Sequence, residues 1–389
     1  MEKSYSLGKI ILSKLNQAGY EAYFVGGFVR DYLLNIPSLD IDITTSALPE
    51  EVENLFENTK ATGKKYGTIT IFIEGKGFEV TTYRLDLDYR DYRKPESVCF
   101  SSSLSEDLKR RDFTINALAM DIEGKVIDLF MGQEDLNNKT IRAIGNPDQR
   151  FNEDALRIIR ALKFASRYNF HIEDNTLSSM KKNIKNISYL PNERIIPELE
   201  EIFSNDFSKT ALKYMNEINI KEIFPEFSLG IDMCLTSKLK LSFIEFMAMS
   251  LYLLKEDIPE YWRFSKKDKL KMYRLIHIVK STIKTGFNAL LVYELGKEMC
   301  LKANEIISVI ENRNHEINIE NIYKKLPIKK RDELAINGND IKNIKNIENE
   351  EVIGEIIEEI ELQVVNGHLE NEHQELINYA KNFLERIDG

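Results

Sequence analysis

The chain has 389 residues, 43% apolar and 30% charged, with a formal net charge of −10 at pH 7. That length buries several cores and predicts roughly two to four domains or subdomains, and the composition excludes an extensively disordered chain. No apolar run approaches the length of a membrane span, and the charged, helix-periodic N-terminus MEKSYSLGKIILSKLNQAGY has no signal-peptide core, so no membrane partner is expected. The cysteines, Cys99, Cys234 and Cys300, are scattered and make no C-x-x-C spacing. They predict a cytoplasmic protein with neither a disulfide framework nor a thiolate metal site.

In chain order, the first signal is FVGGFVRDYLLNIPSLDID over residues 24–42. Ala22–Val25 reads as a short strand that turns at Gly26-Gly27 into a helix. Glycines there let backbone N–H groups approach an anion at a helix N-terminus, and Arg30 is expected to reach the same anion. Leu39-Asp40-Ile41-Asp42-Ile43 alternates apolar with acidic residues, which in a strand puts both carboxylates on one face. Two hard oxygen ligands beside a phosphate cradle suit one or two Mg²⁺ ions. A lone G-G is usually a turn and a lone D-x-D a solvated strand end, so the weight lies in their combination.

Further strands are expected at Thr68–Ile73, Phe78–Tyr83 and Ala117–Asp121. If Phe78–Tyr83 lies beside the Asp40/Asp42 strand, Glu79 supplies a third carboxylate. Such a set serves nucleotidyl transfer by two metal ions. RRDFTINA follows at 110–117, where paired guanidiniums suit a triphosphate and Asp112 suits a ribose hydroxyl. After Asn146-Pro147 the pattern turns helical. Asp154–Phe164 and Glu193–Phe203 read as helices, and later helices are punctuated by Pro225, Pro259, Gly286, Pro327 and Gly338. Asp154, Arg157 and Arg160, three apart, are expected on one helix face. A carboxylate acceptor beside a guanidinium donor matches the amino group and ring nitrogen of cytosine and adenine. Guanine and uracil present the reverse pattern and would leave polar groups unpaired. The plain alternative for this segment is an intrahelical ion pair.

Charge is segregated. From Lys139 to Arg194 there are eleven Lys/Arg against six Asp/Glu, and from Arg263 to Lys284 eight against one, whereas Glu348–Glu361 holds seven glutamates and no base. Local basic stripes attract a phosphate backbone even on an acidic chain.

These motifs together resemble the class II tRNA nucleotidyltransferases and bacterial poly(A) polymerases, a branch of the polymerase-β-like nucleotidyltransferases. VGGFVRDYLLN…DID resembles the family's metal and triphosphate motif, RRDFTINALAMD its ribose and phosphate motif, and DLFMG (Asp128–Gly132) a short structural motif. EDALRIIRALKFA resembles its base-recognition helix and ERIIPELEEIF its neck motif. The resemblance implies an α+β fold, with a mixed-sheet nucleotidyltransferase head (1–145), a helical neck with the base-recognition helix (146–205), and a helical body and tail binding tRNA (206–389). It implies Asp40 and Asp42 as catalytic metal ligands, with Glu79 the third catalytic carboxylate. Gly26, Gly27, Arg30, Arg111, Asp112 and Asn116 would hold the triphosphate and ribose, and Asp154, Arg157, Arg160 and Lys163 the base side. Asn35 stands where glycine is common, Lys163 where arginine is frequent, and Pro197 interrupts the neck motif.

The implied reaction is addition of the CCA 3′ end to tRNA from CTP and ATP, with Mg²⁺. The long stretch Leu85–Asp107, with Tyr89, Asp91, Arg93, Pro95, Val98 and Phe100, resembles a loop that CC-only enzymes lack. The alternatives within the class are an A-adding enzyme working with a CC-adding partner, or a poly(A) polymerase. Outside it stands a catalytically silent RNA-binding relative. The dispersed histidines and the absence of a His-Asp dipeptide give no phosphohydrolase domain. Either a monomer or a homodimer fits.

Overall fold

Alternation and glycine placement shape the first third of the chain, seen here in a computed structural model that describes residues 2–38, 40–87, 97–312, 318–345, 347 and 349–387. Helix α1 (Glu2–Gln17) turns Leu7, Ile11, Leu12 and Leu15 inward. It is followed by β1 (Ala22–Val25), α2 (Gly27–Leu33), β2 (Asp42–Thr45), α3 (Pro49–Leu55), β3 (Thr59–Gly63), β4 (Thr68–Ile73) and β5 (Lys76–Thr82). An antiparallel pair, β6 (Arg84–Leu87) and β7 (Ser97–Phe100), precedes α4 (Leu104–Lys109), β8 (Leu118–Met120), β9 (Val126–Asp128) and α5 (Gly132–Asn137).

Seven strands form one mixed sheet in the order β3-β4-β5-β2-β1-β8-β9. Only β2 and β5 run parallel, and their register sets Asp42 opposite Glu79. The strand expected through Asp40 and Asp42 begins only at Asp42, although burial still alternates: Asp40 and Asp42 are exposed, and Ile41 and Ile43 are buried. Tyr89, Asp91, Arg93 and Pro95 of the expected loop lie outside the described residues.

The helical region opens with a short parallel pair, β10 (Thr140–Ile141) and β11 (His171–Ile172), which flanks α6 (Pro147–Glu153) and α7 (Leu156–Tyr168) in sequence. The single helix expected at Asp154–Phe164 is therefore corrected. Asp154 is an extended residue (φ −147°, ψ 104°) ending α6, and α7 starts two residues later. Periodicity carries across the break, which hides it from a spacing argument. Then follow α8 (Asp174–Asn183), α9 (Asn192–Ser204), α10 (Ser208–Glu217) and α11 (Phe227–Thr236). Helix α9 runs through Pro197, which lacks the N–H that Glu193 would bond, so the neck motif bends the rule without breaking the helix.

Two compact units divide the chain. One comprises Met1–Ile231 with Tyr261–Arg263, and the other Asp232–Glu260 with Phe264–Gly389. In the first, Trp262 is fully buried against Phe224 and Phe227, and its indole N–H donates to Glu226. The second is helical: α12 (Phe243–Leu254), α13 (Lys266–Thr282), α14 (Ala289–Leu295), α15 (Lys297–Ile310), α16 (Ile319–Lys325), α17 (Gly338–Lys345), α18 (Glu350–Val365) and α19 (His373–Ile387). Helix α12 starts with a capping box, the Glu245 carboxylate accepting from the Ser242 N–H at 2.8 Å. Ile341, Ile356, Ile360, Val364, Leu376 and Ala380 close a separate core there.

Candidate active site

Strand β1 delivers the chain to Gly26, whose φ of 66° and ψ of −131° no L side chain adopts comfortably. A Cβ at Gly26 would stand 2.8 Å from Arg111 Nη1, the mobile end of a side chain that can shift, so conformation is the firmer reason for glycine here. Arg111 arrives from the end of α4, where Asp107, buried and with its carboxyl held down, orients two guanidiniums. Burial works against ionising Asp107, but Arg110 at 2.7 Å and Arg111 at 3.2 Å outweigh it. Arg111 Nε is buried without a hydrogen-bond partner, and Nη1 is the guanidinium atom nearest the glycine turn.

Opposite lie Asp40 and Asp42. Burial, then the neighbouring Glu79 and Asp40 carboxylates, push the Asp42 carboxyl up, while Arg111 pulls it down. Although Asp42 is open to solvent, it sits in a concave, acid-rich place where negative charge is not fully balanced. Both carboxylates therefore fit a hard cation that keeps water and phosphate among its ligands. No cluster of three or more His, Cys, Asp or Glu suited to a metal ion occurs among the described residues.

These groups line one cleft of about 790 Å³, of nucleotide size. Its far wall is the α6–α7 junction and α9. Asp154 Oδ1 accepts the Leu156 N–H at 3.1 Å, capping α7. Arg157 donates to Glu153 at 2.8 Å and to the carbonyls of Arg150 and Arg110, both at 3.1 Å. Arg160 Nε reaches Asp112 Oδ2 at 2.7 Å. Burial raises the Asp112 carboxyl, but Arg160, Asn116 and Arg157 overcome that and bring it to about 2.

Residues 22–142 match the family described as Poly A polymerase head domain, 169–229 the Probable RNA and SrmB- binding site of polymerase A, and 247–380 tRNA nucleotidyltransferase domain 2 putative. The chain is 39% identical to the CCA-adding enzyme of Ligilactobacillus salivarius (strain UCC118), covering 96% of each protein. It belongs to the CCA-adding enzyme family. The CCA-adding enzyme of Enterococcus faecalis (strain V583) is 37% identical over 95% of this chain and 94% of its own. The Bacillus stearothermophilus CCA-adding enzyme in complex with CTP has a TM-score of 0.85 at 30% identity, covering 100% of this chain and 99% of that one. The Thermotoga maritima CCA-adding enzyme complexed with tRNA_CCA shares the fold, with a TM-score of 0.71 at 22% identity over 97% and 95% of the two chains.

In this CCA-adding family member the cleft gathers Gly26, Gly27, Arg30, Asp40, Asp42, Arg111, Asp112, Asn116, Asp154, Arg157, Arg160 and Lys163. Glu79 stands beside Asp42 in register but outside that lining. Arg30 lines the cleft and is itself held by protein partners. It is buried, paired with Asp31 at 2.9 Å and hydrogen-bonded to Asn116, and it lies 5.1 Å from the Phe164 ring and 4.9 Å from the Tyr168 ring. Asp154 shares no helix face with Arg157, because the helix begins after it, and the two make no ion pair. Asp154 instead pairs with Arg194, at 2.7 Å. Lys163 reaches Glu198 at 2.6 Å.

Sequence reasoning missed Asp107, Arg194 and Glu198. Asp107 was findable, standing three and four residues before the two arginines it orients. Arg194 and Glu198 were not, since their partners lie 40 and 35 residues away.

Proposed function

We propose that this chain adds CCA to the 3′ end of tRNA, drawing on CTP twice and ATP once. The 3′-hydroxyl oxygen bonds to the α-phosphorus as the bond to the β-phosphate oxygen breaks. Pyrophosphate leaves and the hydroxyl proton passes to solvent. The observation that carries the assignment is one cleft joining an acid pair, a glycine turn beside the Arg111 guanidinium, and a carboxylate and guanidinium wall.

Asp40 and Asp42 would hold Mg²⁺, which supplies Lewis acidity toward the phosphates. Gly27 and Arg111 receive the triphosphate through a backbone N–H and a forked donor, while Gly26, whose N–H is given to the Leu118 carbonyl at 3.2 Å, sets the turn. Asp112, kept ionised by Arg160, accepts from a ribose hydroxyl. Asp154 accepts the exocyclic amino group of cytosine or adenine, and Arg157 donates to the adjacent ring nitrogen. Uracil and guanine would turn acceptor to acceptor and donor to donor, leaving buried polar groups unpaired. The substrates and the three free thiols fit a reducing cytoplasm. No helix among the described residues is long and apolar enough to cross a membrane.

The test is incorporation by purified protein with Mg²⁺ and each nucleoside triphosphate in turn, on tRNA ending at the discriminator base and on tRNA ending in CC. The expected result is C on the first and A on the second. Incorporation of A alone on the CC-ended tRNA, with no C on the shorter one, contradicts the assignment. So does processive A-tailing of an unrelated RNA.

A further inference from the structure

Asp154 carries the proposed base reading, yet it occupies an unusual place for a recognition group. It lies at a helix break in extended backbone, so no helix holds its side chain in one orientation. One oxygen is tied locally, Oδ1 accepting the Leu156 N–H at 3.1 Å. The other is tied from outside: Arg194 of α9 donates through Nη2 to Asp154 Oδ2 at 2.7 Å, with both side chains less than a fifth exposed. Arg157 does not share that task, since its contacts go to Glu153 and to two backbone carbonyls. Arg194 Nη1, on the same planar fork, is buried with no hydrogen-bond partner. One buried end of the guanidinium thus lacks a partner, a cost that points away from a purely stabilising ion pair.

We propose that Arg194 is a positioning residue for nucleotide selection, fixing the plane of the Asp154 carboxylate so that its remaining lone pairs face the base amino group. This rests on the reading of Asp154 as the base acceptor. Without Arg194, the carboxylate keeps only its cap bond and rotates about χ2. Uracil and guanine are then excluded less sharply, while triphosphate binding at Gly26 and Arg111 is untouched. Helix α9 has the right frame for this role. Arg194 and Glu198 are four apart on one face, and Glu198 holds Lys163 of α7 at 2.6 Å. The same helix thereby sets both the start of α7 and its middle.

The experiment measures kcat/KM for CTP, UTP, ATP and GTP on tRNA substrates with the full-length chain and Arg194→Met, Arg194→Lys, Asp154→Ala and Asp154→Ala/Arg194→Met, each checked for a native thermal transition. Arg194→Met, which keeps the stem, should lower C-over-U and A-over-G selectivity about 10- to 100-fold. Arg194→Lys should restore part of it, because it keeps the charge without the fork. The double variant should be no less selective than Asp154→Ala alone, since Arg194 acts through Asp154; a merely structural arginine would not give that non-additivity. Unchanged selectivity in Arg194→Met, or a loss that adds to that of Asp154→Ala, overturns the proposal while leaving Asp154 as the reader. Unchanged selectivity in Asp154→Ala overturns both, and that pattern separates the two failures. If Arg194→Met does not fold, Arg194→Lys carries the same test, and wild-type selectivity in it overturns the proposal.

Discussion

Two basic helices of this chain use their cations in opposite ways. On α7 every cation is matched: Arg157 with Glu153, Arg160 with Asp112, Lys163 with Glu198 and Arg167 with Asp31. On α13, Lys266, Lys267, Arg274 and Lys280 are exposed and make no ion pair among the described residues, and Leu270 and Tyr273 are exposed beside them. Paired, half-buried charge fixes geometry and is little screened, whereas unpaired surface charge makes a field that salt weakens. The first kind suits choosing a base. The second suits holding a polyanion, and helix α13 extends about 25 Å, enough to follow several phosphates.

The largest effect that sharpens this contrast lies outside both helices. Asp42→Asn should lower kcat by at least about 10³-fold, the scale of several kcal/mol of charge stabilisation, with tRNA binding by filter retention unchanged. Next, Asp154→Ala and Arg157→Ala should each relax discrimination against UTP and GTP by about 10²-fold, read from single-nucleotide incorporation.

The Asp112–Arg160 pair predicts a pH effect with a definite sign. The Asp112 carboxyl is lowered in the fold from 3.8 to about 2, so its stabilisation is fully present above pH 4 and is lost as pH falls toward 2. It amounts to roughly 2 kcal/mol. Denaturant midpoints measured from pH 5 to 2 should fall more steeply for wild type than for Asp112→Asn; parallel curves would break the pairing account. Smallest is the α13 effect. Lys266→Glu/Lys267→Glu should raise KM for tRNA about tenfold at low salt and flatten its salt dependence by about one unit per lost phosphate contact, with nucleotide selectivity unchanged.

Much of the site was legible because its signals are local. The alternation from Asp40 to Ile43 appears in the burial, Gly26 takes the conformation only glycine suits, and Glu79 stands in register with Asp42. What failed were inferences that treated spacing as geometry. Asp154, Arg157 and Arg160 keep a three-residue period through a helix break, although an aspartate just before an apolar helical run is itself an N-cap signal. Nor does spacing show that Arg30 meets Asn116, Phe164 and Tyr168, which lie far along the chain. Contacts of that range are set by packing, which spacing does not encode.

The most direct test of the contrast between paired and unpaired charge is one salt titration on wild-type protein. Single-nucleotide incorporation of CTP and UTP would be measured from low to moderate salt on tRNA ending at the discriminator base. The account predicts that kcat/KM for tRNA falls steeply while the C-over-U ratio stays flat, because base selection rests on buried, paired groups and tRNA capture on an exposed field. A C-over-U ratio that falls in step with tRNA affinity would contradict it.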